Sequence, residues 1–467
     1  MKLLGGVLLT VSLVGCAVDE STVESELSRA ERDRLIQSTR DSIAFRGITP
    51  VPAAPNVRPA LVTLGRALIF DKILSGDRDT SCMTCHPADF GTGDGRHLSM
   101  GVTGSGLGPD RIGDFVQGEE GRNAPPFWNM HVLPKLFWDG RVEQLETGFI
   151  RTPGDAHITP AMRAVFEFGA ISALPMFPVT ARDEMRGFGG GNELSSIPDE
   201  DLPAIWNALM ARLGAIPQYR QLFEAAYPGT PFQNMTFAHA SNAIGGFIVA
   251  TFEARDSDWD QFLEGDDMAL KKDALIGAEV FMRTCVNCHS GPVGSDNLFH
   301  NTALAQFGPG PRSGGDGPTG RDDFGRERVT GNAAERYAFR TTPLRNVEHT
   351  APFGHTGEIV DLRDFIAHYS QQFDDNGNPI GVIPGPAQNL REYDVTQVDS
   401  RLQATMLVNA DDIIATIDPL FQTGSPIRPE FVDPITAFML ANTDKKSIQN
   451  AVKAVPTSVP SGLPVAD

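Results

Sequence analysis

The sequence predicts a mainly α-helical protein in which two related units follow one another and are joined by long loops. Two stretches place apolar residues at helical spacing: residues 236–262, with Ile244 and Phe247 on one face, and residues 268–284. Strand-like alternation is scarce. Glycine and proline are frequent, at 47 and 34 of 467 residues, and residues 291–333 are rich in glycine, aspartate and arginine, which predicts one extended loop.

Four of the five cysteines lie in two copies of a Cys-x-x-Cys-His motif. This is the attachment signature of a c-type haem, in which two thiols form thioethers with the porphyrin and the imidazole binds the iron. A zinc site would need further thiol or imidazole ligands at short spacing, and a thioredoxin-like site has no use for the histidine. The sequence therefore predicts two covalently bound haems in two tandem cytochrome c-like domains with long loops. The predicted ligand sets are Cys82, Cys85 and His86 in the first and Cys285, Cys288 and His289 in the second.

An internal repeat supports two equivalent units. Five positions recur in the same order, always 217 residues later: Pro126, Asn129, Trp138, Gly140 and Leu145 correspond to Pro343, Asn346, His355, Gly357 and Leu362. The two cysteine motifs are 203 residues apart. One unit must therefore carry a longer loop between its cysteine motif and these five recurring positions.

The N-terminus has the features of an export signal. Residues 1–15 give a short basic start and an apolar run too short to span a bilayer. The Leu-Val-Gly-Cys ending resembles the bacterial lipoprotein box, which implies an acylated Cys16, a tether over residues 16–45 and a periplasmic or cell-surface protein whose only membrane contact is through Cys16. Plain secretion with an unmodified Cys16 is the alternative.

The formal net charge is −20 at pH 7. An acidic surface argues against nucleic-acid binding and suits a basic redox partner such as a small cytochrome, although solubility alone would also explain it.

Three segments resemble the bacterial dihaem cytochrome c peroxidases, a superfamily that includes MauG, the dihaem maturation enzyme of methylamine dehydrogenase. They are Arg122–Pro125, Phe137–Arg141 and Thr342–Asn346. The resemblance covers nearly the whole mature chain. It implies an N-terminal, peroxide-reactive haem domain over residues 46–263, a C-terminal electron-transfer haem domain over 264–444, and a tail, 445–467, that packs back on the N-terminal domain.

The resemblance also implies roles for individual residues between the two haems. Trp138 matches a tryptophan that lies between the haems and relays oxidising power, with a packed core indole as the alternative. Calcium bridges the domains of relatives, and the matching ligands are Asn123 through its side chain and Thr350 and Pro352 through backbone carbonyls. Alternatively, Asn123 caps a turn and residues 350–352 form only a bend.

Peroxide cleavage requires a group that moves a proton from one oxygen to the other. Glu184 resembles the catalytic glutamate of the family, although an insertion around residues 155–174 must be looped out to place it. Glu146 and Glu167 are rival candidates. The family's maturation enzyme has a pocket glutamine at the position of Gly148, so that contact is absent here.

Two departures from the family concern the haem ligands. Residues 114–121 contain no histidine that could block the first haem at rest, and His97, the nearest candidate, is expected at the surface. The first haem is therefore expected to be five-coordinate when oxidised. At the second haem, Tyr369 takes the place of the methionine of the electron-accepting peroxidases and resembles the tyrosine ligand of the maturation enzyme, with Met406 as a distant reserve.

Three functions remain open. The first is reduction of hydrogen peroxide with electrons from a small redox protein, and this is the main prediction. The second is oxidation of a partner protein through a high-valent dihaem state, and the third is electron carriage without catalysis. The resemblance also allows a homodimer.

Overall fold

The computed structural model describes residues 27–311, 315–370, 405–406, 409–423 and 427–466. Cys16 and the predicted signal peptide lie outside the described residues. Within these ranges the chain is mainly helical, as the sequence predicts. No helix of the described part is both long and apolar enough to cross a membrane.

The helices are, in chain order, α1 (Arg29–Arg46), α2 (Pro59–Phe70), α3 (Cys82–Cys85), α4 (Pro160–Arg163), α5 (Ala170–Ala173), α6 (Leu202–Ala215), α7 (Pro217–Ala226), α8 (Phe237–Thr251), α9 (Asp258–Leu263), α10 (Lys272–Phe281), α11 (Glu327–Thr330), α12 (Leu362–Ala367), α13 (Ala410–Ala415), α14 (Pro419–Thr423), α15 (Val432–Leu440) and α16 (Lys445–Lys453). Short 3₁₀ turns join many of them, and residues Arg182–Arg186 form one π-helical turn.

The strands are short. β1 (Lys135–Leu136), β2 (Val142–Gln144) and β3 (Ile150–Arg151) form an antiparallel sheet in sequence order, with Leu136 opposite Val142 and Glu143 opposite Arg151. β4 (Phe299–His300) pairs antiparallel with β5 (Phe339–Arg340).

The first hydrophobic core is built around the crossing of α2 and α8. α2 begins with a proline in its first turn, where a missing N–H costs nothing, and both helices bury apolar residues along their length. Gly65 allows the close approach, because a Cβ there would lie 1.9 Å from the carbonyl oxygen of Ala243. α3, which carries the first cysteine motif, follows α2 and packs against it.

The second core repeats this arrangement with α10 and α15. A Cβ on Gly277 would lie 1.9 Å from the carbonyl oxygen of Pro434, the same close approach as in the first core. α10 runs almost directly into the second cysteine motif, as its sequence pattern predicts. The repeat is also visible in the backbone, because Asn129 and Asn346 are both buried and both have left-handed φ, at 55° and 58°.

The prediction of one long helix over residues 236–262 is wrong in one respect. The segment forms two helices, α8 and α9, which are separated by residues 252–257. The cause lies elsewhere in the chain. The Asn129 side chain binds both backbone groups of Ala254, and an Asp444 carboxylate oxygen accepts the N–H groups of Arg255 and Asp256. These bonds satisfy the backbone that a continuous helix would have paired internally.

Each end of the chain packs on the unit that is distant from it in sequence. α1 packs against α10, with Leu35 in the second core and the Arg32 guanidinium on the carbonyls of Asp267 and Leu270. At the other end, Val459 lies in the first core and Ser461 binds Asp71 of that unit. The N-terminal helix α1 therefore packs on the second unit, and the C-terminal tail packs on the first.

Candidate functional site

The histidine of the first cysteine motif, His86, has the orientation and the tautomer that an iron ligand requires. His86 Nδ1 lies 2.8 Å from the carbonyl oxygen of Thr92, and because a carbonyl only accepts, Nδ1 carries the proton. The ring stacks on Phe127 with centroids 4.0 Å apart. Burial lowers the pKa of His86 to about 4, so the ring is neutral. Nε2 is left with its lone pair for a metal.

The second motif uses the same device. His289 Nδ1 lies 2.9 Å from the carbonyl oxygen of Gly294, and burial lowers the pKa of His289. Cys285, Cys288 and the two cysteines of the first motif are not in disulfides. Both ligand sets therefore fit a covalently attached haem: unbridged thiols beside a neutral imidazole whose tautomer is fixed.

A cavity of about 440 Å³ adjoins the second motif. Its lining includes Cys288, His289 and Tyr369 from the second unit and Trp138 from the first. This is the size of a cavity that takes a large organic cofactor. The structure thus brings the two cysteines, the histidine and the tyrosine predicted for the second haem to one cavity.

Tyr369 follows α12 and stacks on Phe421, with ring centroids 5.8 Å apart. Burial raises the pKa of Tyr369 well above its ordinary value, so without a cation the phenol is neutral. The reserve candidate, Met406, packs against Leu98 and Phe307 instead. Of these two candidates, Tyr369 lines the cavity that His289 also lines, and Met406 is not among the lining residues.

Trp138 is buried between the two units. Its Nε1 donates a 2.8 Å hydrogen bond to the carbonyl of Asn123, and its own carbonyl accepts the backbone N–H of Arg340 at 2.8 Å. The first bond orients the indole and the second fixes the Trp138 backbone, while the side chain lines the cavity beside the second cysteine motif, called the second cavity below.

The three predicted calcium ligands also meet at this cavity, since Asn123, Thr350 and Pro352 all line it. Asn123 donates its amide N–H to the carbonyl of Arg96 at 2.8 Å, and its backbone N–H binds the carbonyl of His355. This orientation leaves the Asn123 side-chain carbonyl oxygen as the atom suited to a hard cation.

Glu184 lies in the π-helical turn beside the first cysteine motif. Burial raises the pKa of the Cys82 thiol to about 12, and the charge of Glu184 adds to this, which places the carboxyl near the motif. Burial raises the pKa of Glu184 itself to about 7; Arg141 opposes the shift and Asp183 adds to it. Arg141 Nη2 lies 3.9 Å from Glu184 Oε1. A carboxyl with this pKa can both accept and donate a proton near neutral pH.

The rival glutamates are placed elsewhere. Glu146 is exposed, and Glu167 forms a bidentate pair with Arg58, whose hydrogen bonds lower the pKa of Glu167. Of the three candidates, only Glu184 has the environment of a proton-transfer group. The expectation for His97 needs correction: it is half-buried, with Nδ1 2.5 Å from the carbonyl of Gly357, because it joins the two units rather than facing solvent.

A buried charge network that sequence reasoning missed leads from the second unit to Glu184. Arg122 makes a bidentate pair with Asp323, at 2.6 and 2.9 Å, and binds Asp139 at 2.7 Å. Asp139 in turn accepts the backbone N–H of Arg141 at 3.1 Å and its guanidinium at 3.2 Å. The motifs that carry Arg122, Asp139 and Arg141 were visible in the sequence, but their pairing was not.

Beside the second motif, His300 lies between two carboxylates, Asp418 at 2.6 Å and Asp296 at 2.9 Å. Burial opposes its protonation, but these two partners raise the pKa of His300 to about 12. Cys288, Asp296 and His300 are close enough to hold a metal ion. A thioether at Cys288 would remove the thiolate, so we interpret the group as an ion-paired imidazolium.

Comparisons with known proteins place these features in a family. The family model for di-haem cytochrome c peroxidase matches residues 59–268. Cytochrome c551 peroxidase of Pseudomonas aeruginosa is 30% identical over 310 residues, which cover 65% of this chain and 70% of the relative. Methylamine utilization protein MauG of Methylorubrum extorquens is 28% identical over 322 residues, 68% of this chain and 71% of the relative.

Two solved structures share the fold. A MauG-like protein associated with microbial copper homeostasis aligns with a TM-score of 0.55 at 22% identity, over 85% of this chain and 94% of the other. The diheme peroxidase BthA from Burkholderia thailandensis aligns with a TM-score of 0.54 at 18% identity, over 88% and 91%.

Proposed function

Because this chain belongs to the di-haem cytochrome c peroxidase family, which includes MauG, we propose that it reduces hydrogen peroxide at the haem of the first cysteine motif. It is an oxidoreductase of the cytochrome-c peroxidase type. The haem of the second motif would exchange electrons or oxidising equivalents with the first. The observation that carries this proposal is Glu184, a half-buried carboxyl beside the first motif with a pKa of about 7.

Glu184 would move the proton that peroxide cleavage requires. A haem held by Cys82, Cys85 and His86 would supply the iron chemistry that peroxide reduction needs. The Glu184 carboxylate accepts the proton from one peroxide oxygen and returns it to the departing one, which leaves as water. Arg141, 3.9 Å away, holds the carboxylate in place and stabilises its charged form.

The remaining features support two cytochrome c-like domains with a link between them. The matching helix crossings at Gly65 and Gly277 give the two units the same framework. Trp138 would carry oxidising equivalents between the haems, and His289 and Tyr369 would both be ligands of the second iron. Calcium bound by Asn123, Thr350 and Pro352 would fix the contact between the domains.

The cellular setting follows from the covalent haems and the N-terminal pattern. We place the protein in the periplasm or at the cell surface, held to a membrane through lipidated Cys16, where a small cytochrome would supply electrons to its acidic surface.

Replacement of Glu184 by glutamine tests the proposal. Glu184→Gln should slow the reaction with peroxide about 10²- to 10⁴-fold, as expected for loss of a general acid–base group, and should abolish the inflection near pH 7 in the rate. Stopped-flow absorbance with the two-haem protein measures both. Glu146→Gln, at an exposed rival position, is the control. An unchanged rate and pH profile in Glu184→Gln would refute the role.

Oxidation of a partner protein is the second candidate. It is favoured by Tyr369 at the second cavity, since an anionic oxygen ligand favours ferric and higher iron states over reduction by a small cytochrome. Electron paramagnetic resonance of the oxidised protein separates the two functions. A high-spin ferric signal at rest, lost together with the low-spin signal on adding one equivalent of peroxide, supports protein oxidation. Resting signals that survive peroxide support a peroxidase that needs prior reduction.

A further inference from the structure

Arg340 is a buried cation at the second cavity with no charged partner among the described residues. It lies in β5, is 6% exposed and lines the cavity beside the second cysteine motif. Its Nε donates to the carbonyl of Phe137 and its Nη1 to the carbonyl of Thr341, both at 3.3 Å. These acceptors are neutral, and the hydrogen bonds are long.

Other buried arginines of this region are paired. Arg122 binds two aspartates, Arg326 binds Glu143 at 3.0 Å, and Arg345 binds Asp260 at 2.9 Å. Burial lowers the pKa of Arg340 to about 10, and no neighbouring carboxylate opposes this shift. The guanidinium nevertheless remains charged at neutral pH. Arg340 is thus the exception in a region where buried charge is otherwise compensated.

An uncompensated buried charge is strongly unfavourable, so the cavity must supply an anion when the protein is in its working form. Arginine recognises carboxylates particularly well, because its planar fork can donate two parallel hydrogen bonds. A haem attached in this cavity brings its own carboxylates, the two propionates. A haem bound in this cavity would therefore supply the negative charge that Arg340 lacks among its protein neighbours.

We propose that Arg340 binds a propionate of the haem in the second cavity and thereby sets the reduction potential of that haem. The inference rests on the proposed attachment of a haem at Cys285, Cys288 and His289. A fixed cation near the macrocycle disfavours removal of an electron from the iron, so it raises the potential. The same residue donates its backbone N–H to Trp138, so the anchor and the proposed bridge between haems share one strand.

The test is a spectroelectrochemical titration of the two-haem protein and two variants. In Arg340→Gln the potential of one haem should shift to a lower value while the other is unchanged. In Arg340→Lys, which keeps the charge, most of the shift should be absent. Arg336→Gln removes a guanidinium that is paired with Glu327 near the surface and should leave both potentials as they are.

Three outcomes would overturn the inference: unchanged potentials in Arg340→Gln, an equal shift in Arg340→Lys, or a potential that depends on added chloride or phosphate, which would indicate a solvent anion at Arg340. If Arg340→Gln does not fold, Arg340→Met, an uncharged side chain that fills much of the same space, replaces it with the same expected shift, and Arg340→Lys stays the charge-keeping control. Mass spectrometry of the unaltered protein tests the premise separately. A chain that carries one haem would refute the proposed function, whatever Arg340 does.

Discussion

At the scale of single residues, Arg141 and Glu184 form an ion pair at 3.9 Å beside the first cysteine motif, and Glu184 is the proposed proton-transfer group. Because the cation opposes the effect of burial on Glu184, its removal should raise the pKa of Glu184 above about 7. In Arg141→Gln the inflection of the peroxide rate should therefore move to higher pH while the reaction persists. Arg182→Gln changes a neighbouring arginine that pairs with Asp199 instead, and its profile should not move. Coincident profiles for Arg141→Gln and the original protein would contradict the pairing.

Tyr369 allows a second prediction at this scale. If its oxygen is bound to iron, Tyr369→Phe should convert one haem from six- to five-coordinate, with a new high-spin signal in electron paramagnetic resonance and absorbance changes confined to that haem. Tyr227→Phe is the control, because Tyr227 donates to the carbonyl of His239 in the first unit. If Tyr369 is only a core residue stacked on Phe421, the two variants will have the same haem spectra.

Residue roles could be predicted from the sequence where a local motif carries them. Both cysteine motifs are local patterns of this kind. The roles of Glu184 and Tyr369 come from the family resemblance and stay predictions, which the buried surroundings of both residues support. Arg141 and Arg340 were not identified from the sequence, because their significance depends on distant residues. Arg141 matters through its distance from Glu184, and Arg340 matters because no described carboxylate lies near it. Neither relation is present in any short stretch of sequence.

At the scale of elements, the two helix crossings depend on glycine. A Cβ on Gly65 or on Gly277 would lie 1.9 Å from a backbone carbonyl oxygen of the facing helix, so the helices must separate to accept alanine. Gly65→Ala and Gly277→Ala should each lower the free energy of unfolding by about 1–3 kcal/mol, as expected for overpacking. Gly189→Ala, where a Cβ meets no atom within 4 Å, is the control in denaturant unfolding. Equal denaturant midpoints for all three variants would show that the facing helices can move apart without loss of stability.

The elements themselves were predictable where their determinants are local. Helices α8 and α10 follow from apolar periodicity. The break after Thr251 does not, because it is stabilised by Asn129 and Asp444, which lie more than a hundred residues away in sequence. Repeat matching did anticipate the equivalence of Asn129 and Asn346, since the same left-handed turn recurs in each unit.

At the scale of the whole molecule, the two units are joined by more than their connecting chain. The Arg122–Asp323 pair crosses between them in a buried environment, and α1 and the C-terminal tail each pack on the unit that is distant in sequence. Removing one partner of a buried ion pair typically costs about 3–5 kcal/mol. Asp323→Asn should therefore destabilise the contact between the units and, through Arg122 and Asp139, disturb the position of Arg141. Slower peroxide reduction with both haems still attached would be the observable result.

The tail provides the last test of this organisation. Asp71 is fully buried, and its carboxylate accepts hydrogen bonds from Tyr219 and Ser461 at 2.6 Å and from the backbone N–H of Ile73 at 3.0 Å. Ser461→Ala removes one donor and should lower the free energy of unfolding by about 1–3 kcal/mol.

A chain that ends at Ala454 also loses the buried Val459 and should be destabilised further, with the loss seen first in the spectrum of the first haem. Ser196→Ala, whose hydroxyl is bound at the surface, should unfold as the original protein does. If the shortened chain unfolds at the original denaturant concentration, the tail only rests on the first unit. If the shortened chain unfolds at a lower denaturant concentration and in two steps, the tail couples the unfolding of the two units.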